Sequence, residues 1–129
     1  MRIGELGRRA GVSPRALRHY EQMGLLRARR RANGYREYDE DDLAVVAEIR
    51  SLAGLGLALE ETRPFVECLR AGYDIAGSCP DSIAVYRAKL AEVDARLAGL
   101  RAVRAELESQ LHAALLARAP EPRCDLEVP

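Results

Sequence analysis

Apolar positions recur at helical spacing in five stretches, most of them closed by a glycine. Ile3, Leu6 and Ala10 mark the first, and Gly11 stops it. Ser13-Pro14 restarts a helix, because serine caps the free amides of a first turn and proline suits the first helical position. Leu17 and Tyr20 carry this helix to Gly24, with Val12 and Leu17 expected in the core. Two short helices across a glycine turn predict a helix-turn-helix, whose second helix brings its N-terminal residues to base edges. Arg15 and Arg18, three residues apart, share a face of that helix. Leu43, Val46, Ile49, Leu52 and Leu55, with Val45 alongside, predict a third helix ending at Gly56. Asp39-Glu40-Asp41-Asp42 opens it, since acids there complement the helix dipole. Leu59 opens a fourth helix through Phe65, Val66 and Leu69, interrupted by Pro64, and residues 72–77 read as a loop.

The last run is the clearest. Ile83, Tyr86, Leu90, Val93, Leu97, Leu100, Leu107 and Leu111 alternate by three and four, broken where Arg104 takes a seam position. That alternation predicts a coiled coil. About 35 residues at 1.5 Å each give a rod of about 50 Å, which the preceding domain is too small to bury. A partner helix must cover the seam, most simply the same helix of a second copy. The fold class is mainly α. Residues 1–71 form a DNA-binding domain with linker helices, 72–80 a loop, 81–117 the dimerisation helix and 118–129 a tail.

Between the second and third helices lie Arg27-Ala28-Arg29-Arg30-Arg31, then Asn33-Gly34, then Tyr35-Arg36-Glu37-Tyr38. Asn-Gly predicts a hairpin turn. A basic two-stranded flap behind a helix-turn-helix is a wing. Arginine forks two donors onto a phosphate, and tyrosine adds a hydroxyl and a flat face.

Charge first argues against this reading, then for it. Lys and Arg total 20 against 20 Asp and Glu, a formal net charge of zero. Residues 1–38, however, hold ten arginines and three glutamates, a net +7, and the remainder carries −7. Such asymmetry points to polyanion binding by the basic part. No Trp, a single Phe and five Tyr exclude a broad stacking platform. No apolar run reaches the roughly 18–20 residues that span a bilayer, and no signal peptide opens the chain, so a cytoplasmic protein is expected. Cys68, Cys79 and Cys124 are an odd, scattered set, expected as free thiols. Neither His19 nor His112 has a nucleophile to serve, and no phosphate-binding glycine loop or carboxylate pair suggests an enzyme.

Taken in order, Ile3-Gly4-Glu5-Leu6, Gly11-Val12-Ser13, Leu17-Arg18-His19-Tyr20-Glu21, Gly24-Leu25-Leu26, Asn33-Gly34-Tyr35-Arg36 and Leu55-Gly56-Leu57 resemble the MerR family of bacterial transcription regulators. The resemblance covers residues 1–117. It implies a winged helix-turn-helix joined to an antiparallel coiled-coil homodimer. Such a dimer sits on double-stranded promoter DNA and distorts the spacer so that bacterial RNA polymerase engages both promoter elements. On this likeness Ser13, Arg15, Arg18 and Tyr20 meet DNA from the recognition helix. Arg30, Arg31, Asn33, Gly34, Tyr35 and Arg36 do so from the wing, with Arg29 to Arg31 serving as electrostatic support.

The signal is less legible. In metal-sensing relatives a cysteine opens the dimer helix, where Cys79 falls, and two more follow the helix. Here Ala113 and Ala114 stand where the next is expected, leaving Cys124. Across an antiparallel dimer, Cys79, Cys124 and His112 would offer a thiophilic ion such as zinc or mercury two thiolates and an imidazole. The alternatives are a thiol redox or electrophile switch, with Cys68 a candidate, an organic ligand held between linker helices and coil, and an effector-independent DNA-bending protein of the excisionase type. A pure coiled-coil scaffold is the non-DNA reading, and the basic wing opposes it.

Overall fold

The structure, a computed structural model, describes residues 1–27, 29–30 and 32–118. Helices α1 (Ile3–Ala10) and α2 (Pro14–Gln22) precede strands β1 (Arg29–Arg30) and β2 (Arg36–Glu37). Helices α3 (Glu40–Gly54), α4 (Arg63–Arg70) and α5 (Pro80–Ala117) follow, with single 3-10 turns at Leu59–Thr62 and Ala76–Ser78. The chain divides into two units, Met1–Lys89 and a second beginning at Leu90.

In the first unit, α1 turns into α2 through Gly11, whose φ of 70° lies in the left-handed region. A Cβ there would also fall 2.5 Å from the Arg50 Nη1 atom that donates to the Ala10 carbonyl. Ser13 caps α2 as its sequence predicts, its Oγ accepting the Ala16 amide at 3.1 Å. The strands pair antiparallel, Arg29 opposite Glu37 and Arg30 opposite Arg36. Asp39 and Asp42 cap α3 reciprocally, each carboxylate accepting the other's amide at 3.0 and 2.9 Å.

Helix α3 organises the core. Val46 packs with Leu6, Ala10, Leu17, Leu26 and Tyr38, while Val45 and Ile49 meet Leu25 and Val66. Leu52 meets Leu57, Phe65 and Ala76. Leu55, read as the last core position of this helix, lies beyond its end and is exposed. Pro64 begins rather than interrupts the fourth helix, because the separate 3-10 turn absorbs Leu59–Thr62 and leaves proline in the first turn of α4. Two arginines then tie α4 to the end of α2. Arg63 donates to the Met23 carbonyl at 2.6 Å and Arg70 to the Leu25 carbonyl at 2.9 Å.

One expectation needs correction here. Cys68 and Cys79 are not free thiols: they form a disulfide, with Cα atoms 5.9 Å apart. The Ala76–Ser78 turn folds the chain back and brings together residues that sequence spacing alone does not pair. Tyr86, assigned to the dimer seam, packs edge-on against Phe65 with ring centroids 5.0 Å apart. It also crowds Gly77, where a Cβ would lie 2.6 Å from the ring. Val85 joins the same cluster, so the first turns of α5 belong to the first unit's core.

In the second unit, residues 90–117 are helical and every one is exposed. Leu90, Val93, Leu97, Leu100, Leu107 and Leu111 form the expected stripe, extended by Val103, Leu115 and Leu116. Surface pairs such as Glu92–Arg96, and Glu108 with the seam residue Arg104, accompany it. Among the described residues no helix is long and apolar enough to cross a membrane.

Candidate nucleic-acid interface

The basic residues of the first 38 positions divide into those already partnered and those that are not. Arg9 forks onto Glu40 at 2.8 and 3.0 Å and holds that carboxyl below its ordinary pKa. Arg29 reaches Asp39 at 2.8 Å and Asp42 at 3.4 Å. The Asp42 amide, backed by Arg29, holds Asp39 low, whereas burial pushes Asp42 up. Arg29, expected as electrostatic support, thus links the wing to the cap of α3.

Arg15 and Arg18 differ. Both are exposed, and neither has an ion pair or hydrogen bond among the described residues. With Ser13, Ala16, His19 and Gln22 they line a shallow groove along the outer face of α2. Two uncompensated guanidiniums on one face of a capped helix make a surface suited to a polyanion. Ser13 lies at its N-terminal end with its oxygen occupied by the cap.

The wing is held in place from two sides. Gly34 takes φ 85°, as the Asn-Gly turn requires, and the Tyr35 amide donates to Asn33 Oδ1 at 3.1 Å. Tyr35 is exposed, with the Arg2 guanidinium 3.9 Å over its ring. Arg2, Glu5 and Arg8 of the α1 end face Tyr35 and Arg36 across a second shallow groove. Arg36, expected as a wing contact to DNA, also has its Nε 3.2 Å from Glu21 Oε1. Glu21 also accepts the hydroxyl of Tyr38, which is 1 % exposed. Burial, then Glu21, pushes the Tyr38 hydroxyl far above its ordinary pKa. Glu21 thus joins the recognition helix to the outgoing strand of the wing.

Tyr20 is half-buried, its ring packed against two of the core clusters, and burial raises its pKa. Arg30 stands on β1, and Arg31 lies outside the described residues. Sequence reading missed Arg2 and Glu21. Nothing in their spacing signals either contact, because both partners arrive from the wing.

The residues expected to hold a metal across a dimer fall in different parts of this chain. The Cys79 sulfur is bonded to Cys68, His112 is exposed in the second unit, and Cys124 lies outside the described residues. Among the described residues no group of three or more His, Cys, Asp and Glu could hold a metal ion. With its sulfur in a disulfide, Cys79 has no thiolate to offer.

Residues 1–67 match the family described as MerR HTH family regulatory protein, and residues 43–110 the one described as MerR, DNA binding. The chain is 35 % identical over 113 residues to the HTH-type transcriptional regulator HmrR of Rhizobium leguminosarum, covering 88 % of this chain and 85 % of that one. It is 35 % identical over 109 residues to the HTH-type transcriptional regulator ZntR of Escherichia coli, covering 83 % and 75 %. Among solved structures, the transcription regulator PbrR691 of Ralstonia metallidurans in complex with lead(II) is 31 % identical. It superposes with a TM-score of 0.70 over 95 % of this chain and 92 % of that one.

Proposed function

The chain belongs to the MerR family of DNA-binding transcription regulators, and from that footing we propose that it acts as a homodimer on double-stranded promoter DNA. The observation that carries this reading is the α2 face, where Arg15 and Arg18 are exposed with no ion pair or hydrogen bond among the described residues, while Arg9 and Arg29 are paired with acids of α3 and its cap. Arg15, Arg18 and His19 face the major groove, and Arg2, Tyr35 and Arg36 meet the backbone beside it. The exposed stripe of α5, from Leu90 to Leu111, pairs antiparallel with that of the second copy. The two-fold dimer holds the spacer in one of two shapes and so sets whether RNA polymerase engages the promoter, in the cytoplasm where that DNA lies.

Selection of bound sites from a random duplex library by the purified chain tests this. The expected outcome is a two-fold symmetric site with half-sites one or more helical turns apart. Recovery of asymmetric single sites, or no enrichment, would overturn it.

The lead-bound PbrR691 structure favours a second reading, in which a thiophilic ion is the signal. In this chain that reading requires Cys79 to be released from Cys68 first. Elemental analysis of the reduced chain, purified without chelators, tests it, and absence of stoichiometric metal removes it.

A further inference from the structure

We infer that Cys68 and Cys79 form a reversible thiol–disulfide site that clamps the start of α5 to α4 when oxidised by a low-molecular-weight disulfide. The inference rests on the reading of the chain as a DNA-acting regulator. A protein that works on promoter DNA inhabits a reducing compartment, where disulfides are transient and chemical rather than permanent staples.

The two sulfurs sit in unequal settings. Cys68 is 2 % exposed and packed within α4, between Val66 and Leu69 in sequence. Cys79 is half-buried and immediately precedes α5, its carbonyl accepting the Ile83 amide at 3.0 Å. The half-buried Cys79 sulfur is open to a small disulfide arriving from solvent, whereas Cys68 is closed off inside the fold. Cys79 is therefore the attacking group and Cys68 the resolving one. The Cys79 thiolate attacks one sulfur of the small disulfide, forming a mixed disulfide and releasing the first small thiolate. The Cys68 thiolate then attacks the Cys79 sulfur, closes the protein disulfide and expels the second. The protein loses two electrons, the reagent gains them, and the two protein thiol protons pass through solvent to the released thiolates. In the disulfide-bonded form the Ile75 carbonyl lies 3.6 Å and Ser78 Oγ 3.9 Å from Cys68 Sγ.

The site lies where a signal can be used. The bond closes a loop over Ala76, which is buried against Leu52, Leu57 and Phe65, the cluster on which Val85 and Tyr86 pack. Oxidation thus pins the first turns of α5, and reduction leaves them held by side-chain packing. The same α4 that bears Cys68 grips the end of the recognition helix through Arg63 and Arg70. One short helix therefore touches both the thiol pair and the carbonyls behind the DNA-facing face.

The test uses the full chain carrying Cys124→Ser, equilibrated in glutathione buffers from fully reduced to fully oxidised, quenched by alkylation and mapped by peptide mass. The Cys68–Cys79 pair is expected to rise smoothly with the disulfide-to-thiol ratio. With Cys68→Ser added, Cys79 is expected to stop at the glutathione mixed disulfide, and with Cys79→Ser, Cys68 is expected to stay unmodified. A pair that resists reduction throughout, or never forms, overturns the inference. Amide exchange across residues 79–86 is expected to be roughly ten-fold faster in the reduced state, and equal rates would overturn the clamp. Failure to retard duplex DNA in either state would overturn the regulator reading and with it the regulatory meaning of the pair. The thiol map distinguishes that loss from failure of the thiol chemistry.

Discussion

Replacing Glu21 by leucine removes a carboxylate that joins the recognition helix to the wing. The Tyr38 hydroxyl, at 1 % exposure, then keeps its desolvation cost and loses its acceptor. Hydrogen bonds to charged groups contribute about 1.5–3 kcal/mol, and an unsatisfied buried donor forfeits most of that. The Arg36 pair adds less, because the Arg36 side chain is 36 % exposed and water screens it, so about 0.5 kcal/mol is its share. Glu21→Leu is therefore expected to cost about 2–3.5 kcal/mol. Glu21→Gln keeps an acceptor and is expected to cost about 1 kcal/mol. Urea unfolding followed by circular dichroism, at fixed protein concentration, measures both. The decisive quantity is the coupling in a double-mutant cycle with Tyr38→Phe. Once Glu21 is leucine, removing the hydroxyl is expected to cost nothing, a coupling of about 1.5 kcal/mol or more. Additive losses, within about 0.5 kcal/mol, would refute the joint.

Further outcomes follow from other parts of the molecule. Arg18→Ala is expected to weaken binding to every duplex and to lower the salt slope by about one, whereas Arg9→Ala, whose charge is committed to Glu40, is expected to leave the slope alone. Equal slopes for the two variants in a fluorescence titration would contradict this division. Leu97→Asp places a charge on the α5 stripe and is expected to weaken self-association at least ten-fold by sedimentation; an unchanged dimer would move the seam elsewhere. Ser82 is fully buried with no partner for its hydroxyl among the described residues, so Ser82→Ala is expected to be neutral or to stabilise by up to about 1 kcal/mol in urea. Tyr38 and Tyr20 are both held protonated above their ordinary range. The unfolded chain sheds these protons first, near pH 10, so their contribution is complete below that pH and is lost as pH rises towards the folded values. A urea midpoint that does not fall between pH 9 and 11, about one unit either side of that value, would rule this out.

The helical stretches were legible because apolar periodicity survives translation into burial, as Leu6, Leu17, Val46 and Ile49 show. The wing was legible from the Asn33-Gly34 turn together with the basic segments on either side of it. What failed was every contact that depends on a third dimension. Tyr86 fits the seam register, yet its ring is drawn back to Phe65. Arg29 and Arg36 belong to the basic cluster by sequence, but the acids that answer them lie on α3 and α2. The −7 of residues 39–129 is therefore not simply a separate acidic part. Its first members, Asp39, Glu40 and Asp42, pair directly with Arg29 and Arg9 of the basic segment.

From Leu90 onward α5 buries no residue of its own. A helix without tertiary packing stands on intrinsic propensity and on pairs such as Glu92–Arg96 and Arg104–Glu108, worth a few tenths of a kcal/mol each at most. In the proposed dimer, folding of this segment and association of two chains become a single bimolecular reaction. Helix content would then depend on dilution, unlike that of the self-contained first unit. A cell making few copies would hold chains with complete heads and frayed stems, and synthesis rate itself would become an input to the regulator.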